Sequence, residues 1–526
     1  MKSYKAFTLG TSPFVGPLEN RILHQHKEQG WDGLADRVAA LALQAEALRP
    51  EPDRDAFPER VRDAMMNGKM LPNSPLLVNA GHNEQRIFAC FAVDVRRPLE
   101  DALATFRYIH DGMGGVGYAV SGKELDFPEL IRSIDDDTVQ HQAGRPRPAS
   151  NAVTMPMSGR LDDYLDLAGT LKVTNMNVAL DDGFMASVRH DSASLERLER
   201  VAQSIHATGQ PGVIFPDRIA RIANTEAPVM AANVCGEAPL ATDESALLAS
   251  LNLVAFCHAN DDGIVRFDEA DFQAHVKLAV RFLDGMHDVH CHANETLRRN
   301  TEATRKIGVG IMGFAHALIL CGMRYGDEAS VAFAERLGRL MMDAASTESE
   351  RLAALLGPYP AWQPSHGPAR RNGALVAIAG TATIALIAGA SCGVEPLFSH
   401  VWNQIVIGEH IRILDPVIGF VLEQHGIDSR QALARLLIGE SLSAIAGPAL
   451  AALMPAAIEI PGTSHIKVQA AFQRHIDGGI TKTINCVSET SVGQIRDWLM
   501  DAHEAGCLGL TIYRAGSLDG QPMAGV

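Results

Sequence analysis

Asn233-Val234-Cys235-Gly236-Glu237-Ala238-Pro239-Leu240 is the stretch on which the reading of this chain turns. It sets a thiol between an amide and a carboxylate, just ahead of a Pro-Leu break. Such a trio suits radical chemistry on a sugar. In such chemistry a thiyl radical on Cys235 would abstract a ribose 3′ hydrogen, while Glu237 took the 3′-hydroxyl proton and Asn233 held the neighbouring hydroxyl. The carboxylate matters because deprotonating a 3′-hydroxyl radical makes the 2′ substituent a far better leaving group. In isolation the same residues also fit a small buried thiol beside a solvated surface carboxylate.

The surroundings narrow the choice. At 526 residues the chain is long enough for two or three domains, or for one large α/β barrel with appended helices. Acidic residues number 62 against 46 basic ones, for a net charge of −16, and no Lys/Arg-rich run breaks that balance. A nucleic-acid-binding surface is therefore disfavoured, whereas a small anionic substrate needs only a local site. The longest apolar stretch, Ala374 to Ala390, is interrupted by Gly380, Thr381 and Thr383 and is too short for a membrane span. The start MKSYKAFTLG lacks the apolar core of a signal peptide, so a cytoplasmic protein is expected. Eight cysteines (90, 235, 257, 291, 321, 392, 486 and 507) include no Cys-x-x-Cys pair, which argues against a disulfide scaffold or a zinc ribbon.

Helical spacing of Leu34, Val38 and Leu41, and of Phe57, Val61 and Met65, predicts a helical region over residues 1–70, with one large catalytic domain over 71–526. After the turn at Pro72-Asn73-Ser74-Pro75, short apolar runs at Leu76–Val78, Ile87–Val95, Gly117–Val120 and Val213–Phe215 read as buried strands. Amphipathic helices are expected over about 194–208, 268–288, 326–355 and 491–505. Further strands are expected at Leu375–Ile378 and Leu510–Tyr513.

Ten collinear segments now resemble one family. They are PNSPLLVNAG (72–81), CFAVDV (90–95), GGVGYAVS (114–121), TNMNVALDDGFMASV (174–188), GQPGVIFPDR (209–218), NVCGEAPL (233–240), KIGVGIMGFAHALI (306–319), RNGALVAIAGTATIALIAGASCGVEPLF (371–398), HIKVQAAFQRHIDGGITKTIN (465–485) and GCLGLTIYRAGS (506–517). Together they are similar to the catalytic subunit of the adenosylcobalamin-dependent, class II ribonucleotide reductases. The resemblance implies a ten-stranded α/β barrel of two five-stranded halves, with a central finger loop carrying the radical cysteine, matched here by Cys235. It also implies Asn233 and Glu237 as partners of the ribose hydroxyls, and Cys90 as the thiol that protonates the departing 2′-hydroxyl. Thr381 and Thr383, with Ser74 as a lesser candidate, match substrate phosphate positions. Hydroxyls and free amides at a helix start suit a phosphate on physical grounds too. The implied partners are a ribonucleotide, a reductant and a second copy of the chain as homodimer.

Three departures stand out. The run Ala246-Leu247-Leu248-Ala249-Ser250-Leu251-Asn252-Leu253 carries alanine where the family has its second redox cysteine. No Cys-x-x-Cys pair of the kind that re-reduces the site in the family occurs within these 526 residues. The phosphate segment reads Ala379-Gly380-Thr381-Ala382-Thr383, and Arg145-Pro146-Arg147-Pro148 replaces a segment of the Arg-Arg-Gly-Ala type. The radical half is thus present without the dithiol half. Three outcomes stay open: reduction with an external reductant such as formate, a small thiol or thioredoxin; a redox-neutral dehydration or epimerisation of a nucleotide sugar; and an inactive paralogue that only binds nucleotide or cobalamin.

Other patterns have plainer readings. His287, His290, Cys291 and His292 crowd a helix end, where adjacent ligands converge poorly on a metal, and no metal is expected. Gly112-Met113-Gly114-Gly115-Val116-Gly117 fits Gly-x-Gly-x-x-Gly but leads into a strand, so a tight turn is expected. Cys257, Cys392 and Cys486 are the remaining candidates to replace the absent thiol.

Overall fold

The computed structural model describes residues 4–517 apart from 24–28, 52, 143–149, 224–228, 262–263 and 407–408. Arg145-Pro146-Arg147-Pro148 lies outside the described residues.

Five strands, Cys90–Ala92, Gly115–Ala119, Asn151–Pro156, Thr174–Ala179 and Gly212–Ile214, pair in parallel in that order. A second parallel set begins with Glu244–Asn252 beside Ile307–Met312. It continues through single bridges from Val309 to Val376 and from Ile378 to Ile480, and ends with Thr483–Cys486 beside Gly509–Arg514. The two sets meet antiparallel at both seams, Cys90–Ala92 against Glu244–Asn252 and Gly212–Ile214 against Gly509–Arg514. The sheet thereby closes into the expected barrel of two five-stranded halves. The short strand Met70–Pro72 adds antiparallel to Glu244–Asn252.

Strands buried on both faces explain the near-continuous apolar runs. Glu244–Asn252 is buried at all nine positions and Ile307–Met312 at all six. Helices clothe the outside: Glu269–Met286 packs on Glu328–Leu356, which packs on Gly462–Gln473, which packs on Val492–Ala505, which packs on Ser192–Thr208. Each of these keeps apolar residues at helical spacing, and Asp268, Asp327, Ser491 and Asp191 cap four of the five N-termini. Among the described residues no helix is long and apolar enough to cross a membrane.

The helices Gly30–Glu46 and Phe57–Met66 share the barrel's core. They are tied to it by buried charge. Arg49 reaches Asp284 at 2.7 Å and Asp288 at 2.9 Å, and Arg305 and Asn372 each reach Asp284 at 2.9 Å. The surrounding guanidinium groups hold the Asp284 carboxyl well below the usual carboxylate range despite its burial. Asn372 leads into the 375–378 segment, whose Leu375 and Val376 amides both donate to Asp477 at 3.0 Å. The segment also bonds both neighbours through its backbone, Val309 N to Leu375 O at 2.8 Å and Ile378 N to Gly479 O at 3.0 Å, but only as single bridges, short of the full strand expected at Leu375–Ile378.

Two expectations are corrected. Leu76–Val78 is not a strand but part of the helix Ser74–Asn79, because the Asn73 side chain caps it through the Leu76 amide at 2.9 Å and Pro75 sits in its first turn. The strand within Ile87–Val95 is only Cys90–Ala92.

Candidate active site

A hairpin of Val229–Ala232 and Pro239–Ala241 packs against Gly115–Ala119 and Asn151–Pro156. Its turn is residues 233–238, so the octapeptide that opened the sequence analysis is the tip of a finger lying against the barrel strands. The tip is folded on itself. The Asn233 amide donates to Ala238 O at 3.2 Å, the Ala238 amide to Asn233 Oδ1 at 3.0 Å, and the Gly236 amide to Asn233 O at 3.1 Å. Gly236 takes φ +82°, the left-handed conformation that lets the chain reverse there.

The outcome is the inverse of the plain reading of the pentad. Cys235 is exposed, whereas Glu237 is 3% exposed and Asn233 3%. Cys90, also 3% exposed, projects from the neighbouring strand. Asn233 Nδ2 donates to Cys90 Sγ at 3.0 Å, and the Cys90 thiol donates to Glu237 Oε1 at 3.6 Å. Three of the four residues expected in catalysis therefore touch one another, and the fourth stands beside them on the same turn. Burial, with Glu237 and Cys235 close by, pushes the Cys90 thiol well up, so it stays protonated and able to donate. Burial also raises Glu237, against hydrogen bonds from its backbone, Asn233, Thr481 and Cys90. A carboxyl poised this way suits a base that must accept a proton and hold it.

Thr481 is a site residue that the sequence reading missed. Its hydroxyl lies 3.0 Å from Glu237 Oε2 and 3.0 Å from the Cys235 carbonyl oxygen. The one available signal was its place in the quoted segment 465–485. The same segment supplies Gly479, whose amide donates to Glu237 O at 2.8 Å. A Cβ at Gly479 would stand 2.5 Å from Gly236 O and 3.1 Å from Glu237 Cα, both backbone atoms that cannot rotate away. Gly479→Ala is therefore expected to cost about 1–3 kcal/mol of stability and to displace the finger, read as a lower midpoint in urea unfolding together with loss of turnover.

The antiparallel register sets Ala246 directly opposite Cys90. A sulfur at position 246 would face Cys90 across the seam, and the alanine removes it. Beside Ala246 lies a cavity of about 20 Å³, also lined by Glu237, Ala377, Gly308, Gly478 and Lys306, sized for about one water. The Lys306 ammonium at its edge pairs with Glu244 at 2.8 Å. The remaining thiol candidates are occupied elsewhere: Cys257 donates to Leu253 O at 3.4 Å and Cys486 to Tyr513 O at 3.6 Å, while Cys392 is absent from the small cluster around Cys90 and Ala246.

The phosphate candidates Thr381 and Thr383 follow Gly380, where an added Cβ would stand 3.2 Å from the Thr481 side chain. Thr381 takes φ +54° and opens the helix Ala382–Ala388, which has no side-chain cap, so its first amides are open to an anion. The Thr381 hydroxyl itself accepts from the Gly393 amide at 2.9 Å. Thr383 is half-buried on the first turn, and Ser74 is buried at the start of its own helix. The histidine cluster packs around Phe88, with His290 stacked on it at 4.0 Å. Burial lowers His287 to about 3 and His292 to about 4. Among the described residues no group of three or more His, Cys, Asp or Glu could hold a metal ion. Gly112–Gly114 is a turn, with Met113 at φ +65°, that leads into the strand Gly115–Ala119, and Gly115 admits the finger, since a Cβ there would stand 2.7 Å from Val234.

Residues 188–370 and 365–513 match the family model described as ribonucleotide reductase, barrel domain. A vitamin B12-dependent ribonucleoside-diphosphate reductase of Mycobacterium tuberculosis is 31% identical over 95% of this chain and 78% of its own length. The chain belongs to the ribonucleotide reductase family. A second relative, from Thermoplasma acidophilum and of the same description, is 28% identical over 86% of this chain and 65% of its own length. The fold also matches the solved alpha subunit of the class Id ribonucleotide reductase of Actinobacillus ureae, at a TM-score of 0.76 and 18% identity, covering 91% of this chain and 93% of that one.

Proposed function

We propose that this protein reduces ribonucleotides to 2′-deoxyribonucleotides by thiyl-radical chemistry, with adenosylcobalamin as the radical source and an external reductant. The observation that carries the reading is the contact of Asn233, Cys90 and Glu237 beneath an exposed Cys235. Cys235 removes the 3′ hydrogen, Glu237 takes the 3′-hydroxyl proton, and Cys90 delivers a proton to the departing 2′-hydroxyl, which leaves as water. Asn233 is committed to Cys90 and to Ala238, so its first task is to aim the Cys90 thiol, with any ribose contact made by exchange. Thr381 and Thr383, with Ser74, hold the substrate phosphates.

The space beside the fingertip suits the cofactor. Cys235 is exposed, and a Cβ built on Gly236 would meet no atom within 4 Å, so a bulky group can approach the sulfur there. When bound, adenosylcobalamin supplies a radical by homolysis of its cobalt–carbon bond. The relatives named as vitamin B12-dependent support this choice. With Ala246 facing Cys90, the two electrons of reduction come from outside the chain, from formate, a small thiol or thioredoxin. We place the enzyme in the cytoplasm as a homodimer.

Incubating the protein with adenosylcobalamin, dithiothreitol or formate, and each ribonucleotide in turn, then analysing products by mass spectrometry, tests the reading. A 2′-deoxynucleotide is expected; an isomer or a dehydrated sugar would overturn it. Restoring the thiol gives a second check. Directly opposed residues across an antiparallel pair have Cβ atoms roughly 4.5–5.5 Å apart, close to the span that a disulfide bridges. Ala246→Cys is expected to give a single burst of deoxynucleotide without added reductant. A crosslink between Cys90 and the introduced thiol is then seen in peptide mapping as the loss of two hydrogens.

A further inference from the structure

We propose that the Thr481 hydroxyl is a two-position switch that couples the protonation of Glu237 to the backbone carrying Cys235. The inference rests on the assignment of Glu237 as the base. Thr481 Oγ1 stands 3.0 Å from two acceptors, Glu237 Oε2 and the Cys235 carbonyl oxygen. A hydroxyl has one hydrogen and lone pairs to spare, so it can donate fully to only one of them at a time. While Glu237 is ionised, the charged acceptor takes that hydrogen, because charge-assisted hydrogen bonds are roughly twice as strong as neutral ones. The Cys235 carbonyl then goes without it.

When Glu237 accepts the 3′-hydroxyl proton, the polarity of the relay reverses. The new carboxyl O–H donates to Oγ1, and the threonine hydrogen turns to the Cys235 carbonyl. No covalent bond changes beyond the proton transfer to Glu237, and the fingertip gains a hydrogen bond at the stage when Cys235 has taken its hydrogen atom. The rotor is well held for this task. The Thr481 amide donates to Ile378 O at 2.8 Å, and β-branching restricts the side chain to few rotamers.

The charged groups around the pair leave this role open to Thr481. Cys90 and Cys235 are the titratable neighbours on the adjacent strand and on the finger. Lys306, across the small cavity, is paired with Glu244 at 2.8 Å. Lys482, next in sequence, turns away to Glu395 and to His465, 2.8 Å from its Nδ1. Both ammonium charges are thus matched by other carboxylates, and burial raises Glu237 against the opposing hydrogen bonds of its backbone, Asn233, Thr481 and Cys90. Thr481 is on this account a positioning residue and not a catalytic one.

The test compares Thr481→Val with Thr481→Ser. The Glu237 carboxyl stretch is followed through a pH titration of the full, cofactor-free chain by infrared difference against Glu237→Gln. Loss of the hydroxyl is expected to raise the titration midpoint by about one pH unit in the valine variant, with the serine variant matching the wild type. In cofactor-loaded enzyme the acid limb of the kcat profile is expected to move the same way. Coincident midpoints for Thr481→Val and wild type would overturn the switch, as would a serine variant displaced as far as the valine one. If the infrared midpoint moves but the wild type itself never turns over a ribonucleotide, the assigned reaction fails while the switch stands.

Discussion

Cys235→Ser is expected to lower ribonucleotide reduction on the order of 10⁴-fold or more, as removal of an indispensable reacting group does in other enzymes, with no loss of thermal stability. A serine O–H bond is much stronger than a thiol S–H bond. An oxygen at this position therefore cannot be converted to a radical by the same source, although it is nearly the same size. Because Cys235 is exposed at the fingertip, the exchange leaves no cavity and no unpaired buried group. Turnover and thermal unfolding of the purified variant check both halves of the expectation. A serine variant that still made deoxynucleotide would remove Cys235 from the mechanism.

Glu237→Gln is expected to slow turnover by about 10²–10⁴-fold, the range for loss of a positioned acid–base group, while making the protein more stable. Glu237 is buried, and burial raises its folded-state pKa above the ordinary carboxylate value. Below the unfolded pKa both states are protonated and the carboxyl costs nothing. As pH rises past that value the unfolded chain ionises more readily than the folded one, and the stability penalty grows until the folded group ionises as well. Glutamine never ionises, so the gain in Tm of Glu237→Gln over wild type is expected to widen from acid to neutral pH. Thermal unfolding of both proteins across that range measures it, and a constant difference would show that burial does not raise Glu237 in the folded state. Activity lost together with stability gained is the usual signature of a strained functional group.

Much of this was legible in the residues. Burial of both faces of the barrel strands makes apolar runs that stand out between turns, and the long helices announce themselves by period and by Asp and Ser caps. The reading failed where local pattern and context disagree. Leu76–Val78 is as apolar as a buried strand, and only the Asn73 cap and Pro75 turn it into helix. The Gly-x-Gly-x-x-Gly pattern is the tight turn that its order predicted, and the structure adds only that Gly115 gives the finger a landing place. Thr481 could not be singled out, because a hydroxyl acquires its role from acceptors 244 and 246 residues away.

By itself the sequence determined the chemistry that is present: a thiol, amide and carboxylate within five residues, a distant second cysteine, and alanine at 246. Those are facts of composition and order, and no fold can alter them. Only the tertiary structure decided exposure and contact. It left Cys235 exposed and buried Glu237, put Cys90 against the carboxylate, and set Ala246 opposite Cys90. The reason is that reactivity here depends on desolvation and on distances of about three ångströms. Both arise only when strands remote in the chain close into one barrel around the finger.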